Sequence, residues 1–273
     1  MKRSVFFISD RTGITAEMLG HGLLTQFSDI NFHKTILPYI DNAKKAQQVV
    51  MQINQAALED RCRPLIFSTL IDAPIRKIIA TSNALLLDFF APFIASLETE
   101  LACKASTTMG RSHGMDVYAN YKERIDAVNF ALSTDDGLNH RNYPDADVIL
   151  IGVSRSGKTP TSLYLALQYG LRVANYPITE EDWLKPGLSN ILRKHKMKLF
   201  GLTISVQRLQ QIRQERRSVG SYASLQQCKF EIKTVEKLYH DENIPYLDCS
   251  HVSIEEIATS IMQLSGLQRH LHG

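Results

Sequence analysis

The stretch GVSRSGKT, Gly152 to Thr159, has the residue types and spacing of a phosphate-gripping loop. The pattern G-x-x-x-x-G-K-T sets Val153, Ser154, Arg155 and Ser156 between two glycines, with Lys158 and Thr159 directly after Gly157. In such a loop backbone N–H groups and the following helix N-terminus face phosphate oxygens, the lysine neutralises terminal phosphates, and the threonine hydroxyl ligates Mg²⁺. Average residue usage yields this match by chance on the order of once in a hundred chains of this length. The bland alternative is a strand–turn–helix junction with an exposed lysine. Flanking residues favour the loop: an apolar run from Asp147 to Val153 leads in, and a helical pattern leads out. Pro160 fits the first helical turn, where its missing N–H would have no intrahelical acceptor.

Three other clusters could do chemistry. In QRLQQIRQERR, Arg213 lies three and four residues before Arg216 and Arg217, so one helix face could carry all three guanidinium groups. Such forks suit phosphate oxygens, and the helix could close over a nucleotide; a solvated basic face is the ordinary alternative. Asp135 and Asp136 in TDDGL could hold Mg²⁺ or accept a hydroxyl proton, although Asp-Asp-Gly is also an ordinary turn, and spacing alone favours the turn. In SDRTGITAE, after the first apolar run, small and hydroxyl residues could bind an anion, but helix capping by Thr12 or Asp10 is favoured. His113 is a lone loop histidine, and His270 and His272 read as solvent-exposed tail residues.

These groups need a scaffold, and the apolar pattern supplies one. SVFFIS, KTILPYI, PLIFSTL and ALLLDFF read as strands in the first part, and DVILIGV, RVANYPI and KLFGLTIS in the second. Helical patterns separate them. ITAEMLGHGLLTQF places Ile14, Met18 and Leu19 on one face, NAKKAQQVVMQINQAAL has Asn42 as N-cap, and YANYKERIDAVNFAL places Tyr121, Ile125 and Val128 together. KTPTSLYLALQY ends at Gly170, and SIEEIATSIMQLSGLQRHL opens with a capping box of Ser253 and Glu256. Strands alternating with helices imply βαβ units and parallel sheets. The expected class is α/β: a Rossmann-like parallel-sheet unit over residues 1–103, connecting loops and a helix over 104–145, and a P-loop kinase-like α/β domain over 146–273. The sequence shows no internal repeat.

Composition narrows the function classes. A length of 273 residues allows one large or two ordinary domains. A net charge of +3 is too mild to argue for nucleic acid. Cys62, Cys103, Cys228 and Cys249 lie far apart without a C-x-x-C pair, which reads as reduced, inert thiols in a cytoplasmic protein. The apolar run from Val5 is too short for a secretory signal, and ALLLDFFAPFIASL is broken by Asp88 and Pro92, so no membrane segment is expected.

Taken in order, ISDRTGITAE, RIDAVNFALSTDDG, ADVILIGVSRSGKTPTSLYLA, LTISVQRLQQIRQERR and SIEEIA give the chain a resemblance, over nearly its whole length, to a family. It resembles the bacterial phosphoenolpyruvate synthase regulatory proteins, relatives of the pyruvate, phosphate dikinase regulatory proteins. The resemblance implies a bifunctional enzyme. One activity transfers a phosphoryl group from ADP to a threonine of phosphoenolpyruvate synthase and switches it off. The other uses inorganic phosphate to remove that group and releases pyrophosphate. It also implies that Lys158 and the loop amides grip the α/β phosphates, that Thr159 holds Mg²⁺, and that Asp135 or Asp136 is the base or a metal carboxylate. Arg155, Arg213 and Arg217 become candidates for the second anion, and a homodimer is compatible with the family. Gly157-Lys158 matches the synthase-regulating branch, where dikinase regulators often have serine in place of the glycine; Ser156 departs from the cysteine of close synthase-regulating relatives. Two other readings compete: a P-loop small-molecule kinase using ATP, and a non-catalytic nucleotide sensor that binds a partner.

Overall fold

The computed structural model describes residues 2–105, 117–183, 187–216, 221–268 and 270. Chain contacts divide it into two compact units, Met1–Gly114 and Met115–Gly273.

The first unit runs β1 (Lys2–Ile8), α1 (Ile14–Leu24), β2 (Asn31–Leu37), α2 (Ala43–Asp60), β3 (Leu65–Ser68), α3 (Ala73–Ile79), β4 (Leu85–Asp88) and α4 (Ala91–Glu100). Its four strands are all parallel, in the order β2-β1-β3-β4. The run Val5 to Ile8 is buried on both sides, as a central parallel strand requires. Phe6 and Ile8 pack with Ile53, Ile66 and Ile79, while Val5 and Phe7 pack with Ala16, Leu24 and Phe67. Asn42 caps α2 by accepting from the Lys45 amide, as its sequence position implies. Helix α1 turns a different face inward from the one expected. Ala16, Gly20 and Leu24 are buried, and Ile14, Met18 and Leu19 are exposed. Small residues on the inner face let the helix lie close against the phenylalanines of the sheet.

The second unit begins with α5 (Val117–Ser133) and two 3₁₀ turns, Asp135–Gly137 and His140–Asp145. It continues with β5 (Val148–Gly152), α6 (Lys158–Tyr169), β6 (Val173–Pro177), and the short α7 (Glu180–Trp183) and α8 (Asn190–Arg193). Then come β7 (Leu199–Thr203), α9 (Val206–Arg216), α10 (Leu225–Asp241), β8 (Tyr246–Asp248) and α11 (Ile254–Ser265). The strands are again all parallel, ordered β6-β5-β7-β8. The two sheets confirm the expected α/β class. Helix α5 packs on α6 through Ala127, Ala131 and Ala166; of the expected face Val128 is half-buried against this cluster, whereas Tyr121 and Ile125 are exposed. Close helix–helix approach selects the alanine face over the bulkier one. The capping box of Ser253 and Glu256 opens α11 as read from the sequence. Among the described residues no helix is long and apolar enough to cross a membrane.

Candidate functional site

The site forms where the central strand of the second sheet ends. All five residues of β5 are buried, which fixes the start of the loop. Gly152 leaves no room for a side chain: a Cβ there would lie 2.5 Å from the Leu202 carbonyl oxygen and 2.8 Å from Ser156 Oγ. The loop then turns through left-handed backbone at Arg155 (φ 75°) and Gly157 (φ 92°) before α6 starts at Lys158. No side chain caps α6, so the N–H groups of its first turn are left to an incoming anion.

Lys158 is 4% exposed, and its Nζ donates to the Val153 carbonyl across the loop at 2.9 Å. Burial pulls its pKa down from 10.5 to about 8, against the opposing pull of Asp136 and Asp135 and with help from Arg155 and Arg213. A phosphate would restore its charge. Ser156 is buried with its Oγ unpartnered among the described residues, a further polar group in the loop.

The Asp135–Gly137 turn sits beside the loop. Thr159 Oγ1 donates to Asp135 Oδ1 at 2.9 Å, and Asn175 Nδ2 donates to the same carboxylate oxygen. Asn175 in turn accepts from the Asp136 amide at 3.0 Å, so one fully buried side chain holds both ends of the acidic pair. Asp136 adopts left-handed backbone (φ 48°) and is exposed, and its carboxylate has no hydrogen-bond partner among the described residues. Asp-Asp-Gly, a turn or a carboxylate pair by its sequence, is a turn that delivers one carboxylate to Thr159. Asn175 is absent from the sequence-derived candidates, although a polar residue inside the apolar strand run VAN is a signal, since a buried polar side chain needs a reason.

Thr159 and Asp135 offer Mg²⁺ hard oxygen donors of the right kind. Mg²⁺ is commonly held by one or two carboxylates together with substrate phosphates, not by an all-protein cage. Among the described residues no cluster of three or more His, Cys, Asp or Glu could hold a metal ion.

Arg213 also reaches the loop, but not as an open basic face. It is fully buried, and its guanidinium makes a two-pronged pair with Glu231 at 3.1 and 2.6 Å. The same group donates to the Ser154 carbonyl at 3.1 Å and to the Tyr222 carbonyl at 3.0 Å, and lies 4.2 Å over the Tyr222 ring. Tyr222 Oη and Ser154 Oγ share a hydrogen bond of 3.0 Å. The expected grouping of Arg213 with Arg216 fails because Arg216 is exposed while Arg213 is sealed beneath the loop with an acid partner. Here Arg213 positions the loop backbone, and its charge is already matched. Helical spacing could not show Glu231, which enters from α10. Arg217, His113 and His272 lie outside the described residues.

The SDRTG segment ends in a plain helix start. Gly13 (φ 82°) is the N-cap of α1 and no side chain caps it, so the expected cap by Thr12 or Asp10 is not made. His270 is about half exposed, 3.7 Å from Asp147.

A protein of Legionella pneumophila strain Lens, provisionally named phosphoenolpyruvate synthase regulatory protein, is 53% identical over 271 residues, covering 99% of this chain and all of its own length. Proteins of the same provisional name from Pseudomonas fluorescens strain Pf-5 and Pseudomonas aeruginosa strain LESB58 are 53% and 52% identical, each over 98% of this chain. The sequence model of the family described as Kinase/pyrophosphorylase matches residues 5–262, the loop, the Asp135 turn and the Arg213 anchor included, and the chain belongs to that kinase/pyrophosphorylase family.

Proposed function

We propose that the chain is a bifunctional regulator of phosphoenolpyruvate synthase. In the forward direction the hydroxyl oxygen of a synthase threonine attacks the β-phosphorus of ADP. The bond from that phosphorus to the α–β bridging oxygen breaks, AMP leaves, and the hydroxyl proton passes to a base. In the other direction an oxygen of inorganic phosphate attacks the phosphothreonine phosphorus, so that pyrophosphate forms and the threonine hydroxyl is regenerated.

The observation that carries this reading is the convergence of Lys158, Thr159 and Asp135 on one loop, with Lys158 Nζ inside it and Asp135 hydrogen-bonded to Thr159. Phosphoryl transfer needs positioning and charge neutralisation more than covalent chemistry, and these groups suit both. The residues divide the work. Lys158 and the loop amides from Val153 to Gly157 hold the phosphates. Thr159 and Asp135 would hold Mg²⁺, and a cation bound there would neutralise charge on the transferring group. Asp136 is exposed and its carboxylate has no bonded partner among the described residues, which supports it as the acceptor of the threonine proton. The choice of ADP as donor and of the synthase as protein substrate rests on the family and on the names its relatives carry.

The test is incubation with purified phosphoenolpyruvate synthase and β-labelled ADP. Label on a synthase threonine is expected, and phosphate added without nucleotide should then release it as labelled pyrophosphate. Transfer from ADP-free ATP would move the protein to the ordinary kinases. Release as labelled inorganic phosphate would make the second activity a phosphatase.

A further inference from the structure

The His140–Asp145 turn and α8 face each other across an open groove of about 400 Å³. Its lining includes His140, Arg141, Lys194 and His195 over an apolar floor of Pro144 and Ile191, and contains no acidic residue. The charges of Arg141 and Lys194 are unspent: neither side chain makes an ion pair or hydrogen bond among the described residues. Burial, with Lys198 and Lys194 nearby, lowers the His195 pKa, and Arg141 and Lys194 are the arginine and lysine of the lining.

Both walls are built, not loose. Lys198 Nζ donates to the Pro144 and Ala146 carbonyls at 2.6 and 2.8 Å. Tyr143 is fully buried and meets the His195 ring edge-on at 6.0 Å between centroids. The opposite wall begins at Ser189, which caps α8 through the Leu192 amide.

The groove is also tied to the phosphate site. Tyr143 Oη donates to the carbonyl of Asn175, the residue whose side chain holds Asp135. His140 follows Asp135 by five residues, which can span at most about 18 Å. Asn190 and Ile191 line a second groove as well, which runs to Tyr176 beside Asn175. Charge at that end is mixed: the Asp182 carboxylate is engaged by Tyr176 and Thr179, and the lining also carries both Glu181 and Arg193.

We infer that this groove is a docking site for an acidic segment of the protein substrate, with an apolar side chain of that segment seated on Pro144 and Ile191 and its carboxylates on Arg141 and Lys194. The inference rests on the reading of the chain as a protein kinase. An enzyme acting on a large partner gains affinity and orientation from contacts away from the reacting atoms, and unpaired cations beside an apolar floor match acidic, partly apolar chain. The walls that would feel the docked segment are joined by hydrogen bonds to the carboxylate that meets Thr159.

The experiment compares the unmodified protein with the Arg141→Glu/Lys194→Glu double variant, measuring synthase binding without nucleotide and label transfer from β-labelled ADP. The expected result is synthase binding weakened about tenfold or more, and a matching rise in KM for synthase, with kcat and the KM for ADP unchanged. Added salt should weaken synthase binding to the unmodified protein more steeply than to the variant. The Arg141→Lys/Lys194→Arg variant, which keeps both charges, should behave as the unmodified protein. Unaltered synthase binding in the double variant overturns the inference. So does a raised requirement for inorganic phosphate or ADP in place of synthase, which would mark a small-anion site. Synthase binding that depends on the two cations but leads to no label transfer would defeat the kinase reading and keep the groove; absence of synthase binding by the unmodified protein would defeat both.

Discussion

The two sheets of this molecule repeat one design, and only one of them is equipped for phosphate. Each has four parallel strands with the first strand in sequence placed second in space: β2-β1-β3-β4 and β6-β5-β7-β8. In each, five residues join that first strand to its helix, Ser9 to Gly13 and Val153 to Gly157. Both loops end on a left-handed glycine that starts the helix without a side-chain cap. The positions that follow diverge. Where the second unit has Lys158 and Thr159, the first has Ile14 and Thr15, with Ile14 exposed. Asp135 reaches Thr159, while no described side chain bonds to that of Thr15. A shared backbone thus presents helix amides at the sheet edge in both places. The first loop carries a buried Asp10 and an exposed Arg11, but only the second has a buried lysine donating across the loop and a carboxylate bonded to the helix threonine. Fold supplies the location, and a few side chains supply the chemistry.

The largest expected effect breaks that difference. Lys158→Ala should lower ADP-dependent label transfer by about a hundredfold or more, since it removes the charge that meets the transferring phosphate. Circular dichroism and thermal unfolding should show an intact fold. Ile14→Ala, its positional counterpart, should leave transfer unchanged. Near-normal turnover in folded Lys158→Ala would mean that the second loop is no more a phosphate site than the first.

Next in its effect on activity is the anchor that only the second loop possesses. Glu231→Gln leaves Arg213 buried with an unmatched charge, and breaking a buried pair from one side costs about 3–5 kcal/mol. Chemical denaturation should register that loss. An apolar pair, Arg213→Met with Glu231→Leu, should recover most of the stability yet leave the Ser154 carbonyl without its donor. Its KM for ADP should therefore stay raised while its stability returns. Recovery of both would show that the anchor serves the core and not the loop.

Much of the comparison was legible in the sequence, because it rests on local patterns. The βαβ alternation, the glycines at 152 and 157, the Asn42 cap and the Ser253–Glu256 capping box are all short-range signals that the structure realises. What escaped is tertiary. Helical spacing put Arg213 beside Arg216, but burial is decided by Glu231, 18 residues on and on another helix. Asp135 and Thr159 are 24 residues apart and meet only because Asn175 of β6 holds the turn between them. The inner face of α1, and in part that of α5, differs from the apolar spacing for a related reason: spacing favours large residues, whereas close packing takes Ala16 and Gly20 in one and Ala127 and Ala131, beside Val128, in the other. The reading also names no element over residues 225–248, where α10 and β8 lie, because an amphipathic helix with many charges and a three-residue strand give weak apolar runs.

A smaller effect follows from pH. In the free protein Lys158 has its pKa lowered to about 8 by burial, so it is charged below that pH and neutral above it. A bound phosphate favours the charged form and raises that pKa. Protonation and ADP binding are therefore linked with a definite sign: affinity is flat below about pH 8 and falls above it, by up to about tenfold for each further pH unit. Calorimetric titration of ADP between pH 7 and about pH 9.5 checks this, and Lys158→Met should abolish the slope. An equal slope in that variant would assign the titration to another group.

The smallest effect sharpens the comparison most directly, because it makes the same change in both loops. Gly13 and Gly157 adopt nearly the same backbone, φ 82° and 92°, which an alanine enters at a cost of about 1 kcal/mol. Their surroundings differ. A Cβ at Gly13 would lie 3.0 Å from Ile36 Cγ2, while one at Gly157 would meet nothing within 4 Å. Gly13→Ala should thus destabilise the chain somewhat more than Gly157→Ala, since it adds crowding against β2 to the backbone strain. Function should rank them the other way. Strain at Gly157 is relieved by shifting the loop that carries Lys158, so ADP binding should weaken several-fold, on the order of the same 1 kcal/mol. Strain at Gly13 falls on a loop with no lysine after its glycine and no carboxylate bonded to Thr15, and ADP binding should be unmoved. The checks are urea unfolding and ADP titration of both variants. An ADP affinity that falls as far in Gly13→Ala as in Gly157→Ala would show that the first loop takes part in nucleotide binding, and the division of labour between the two sheets would have to be abandoned.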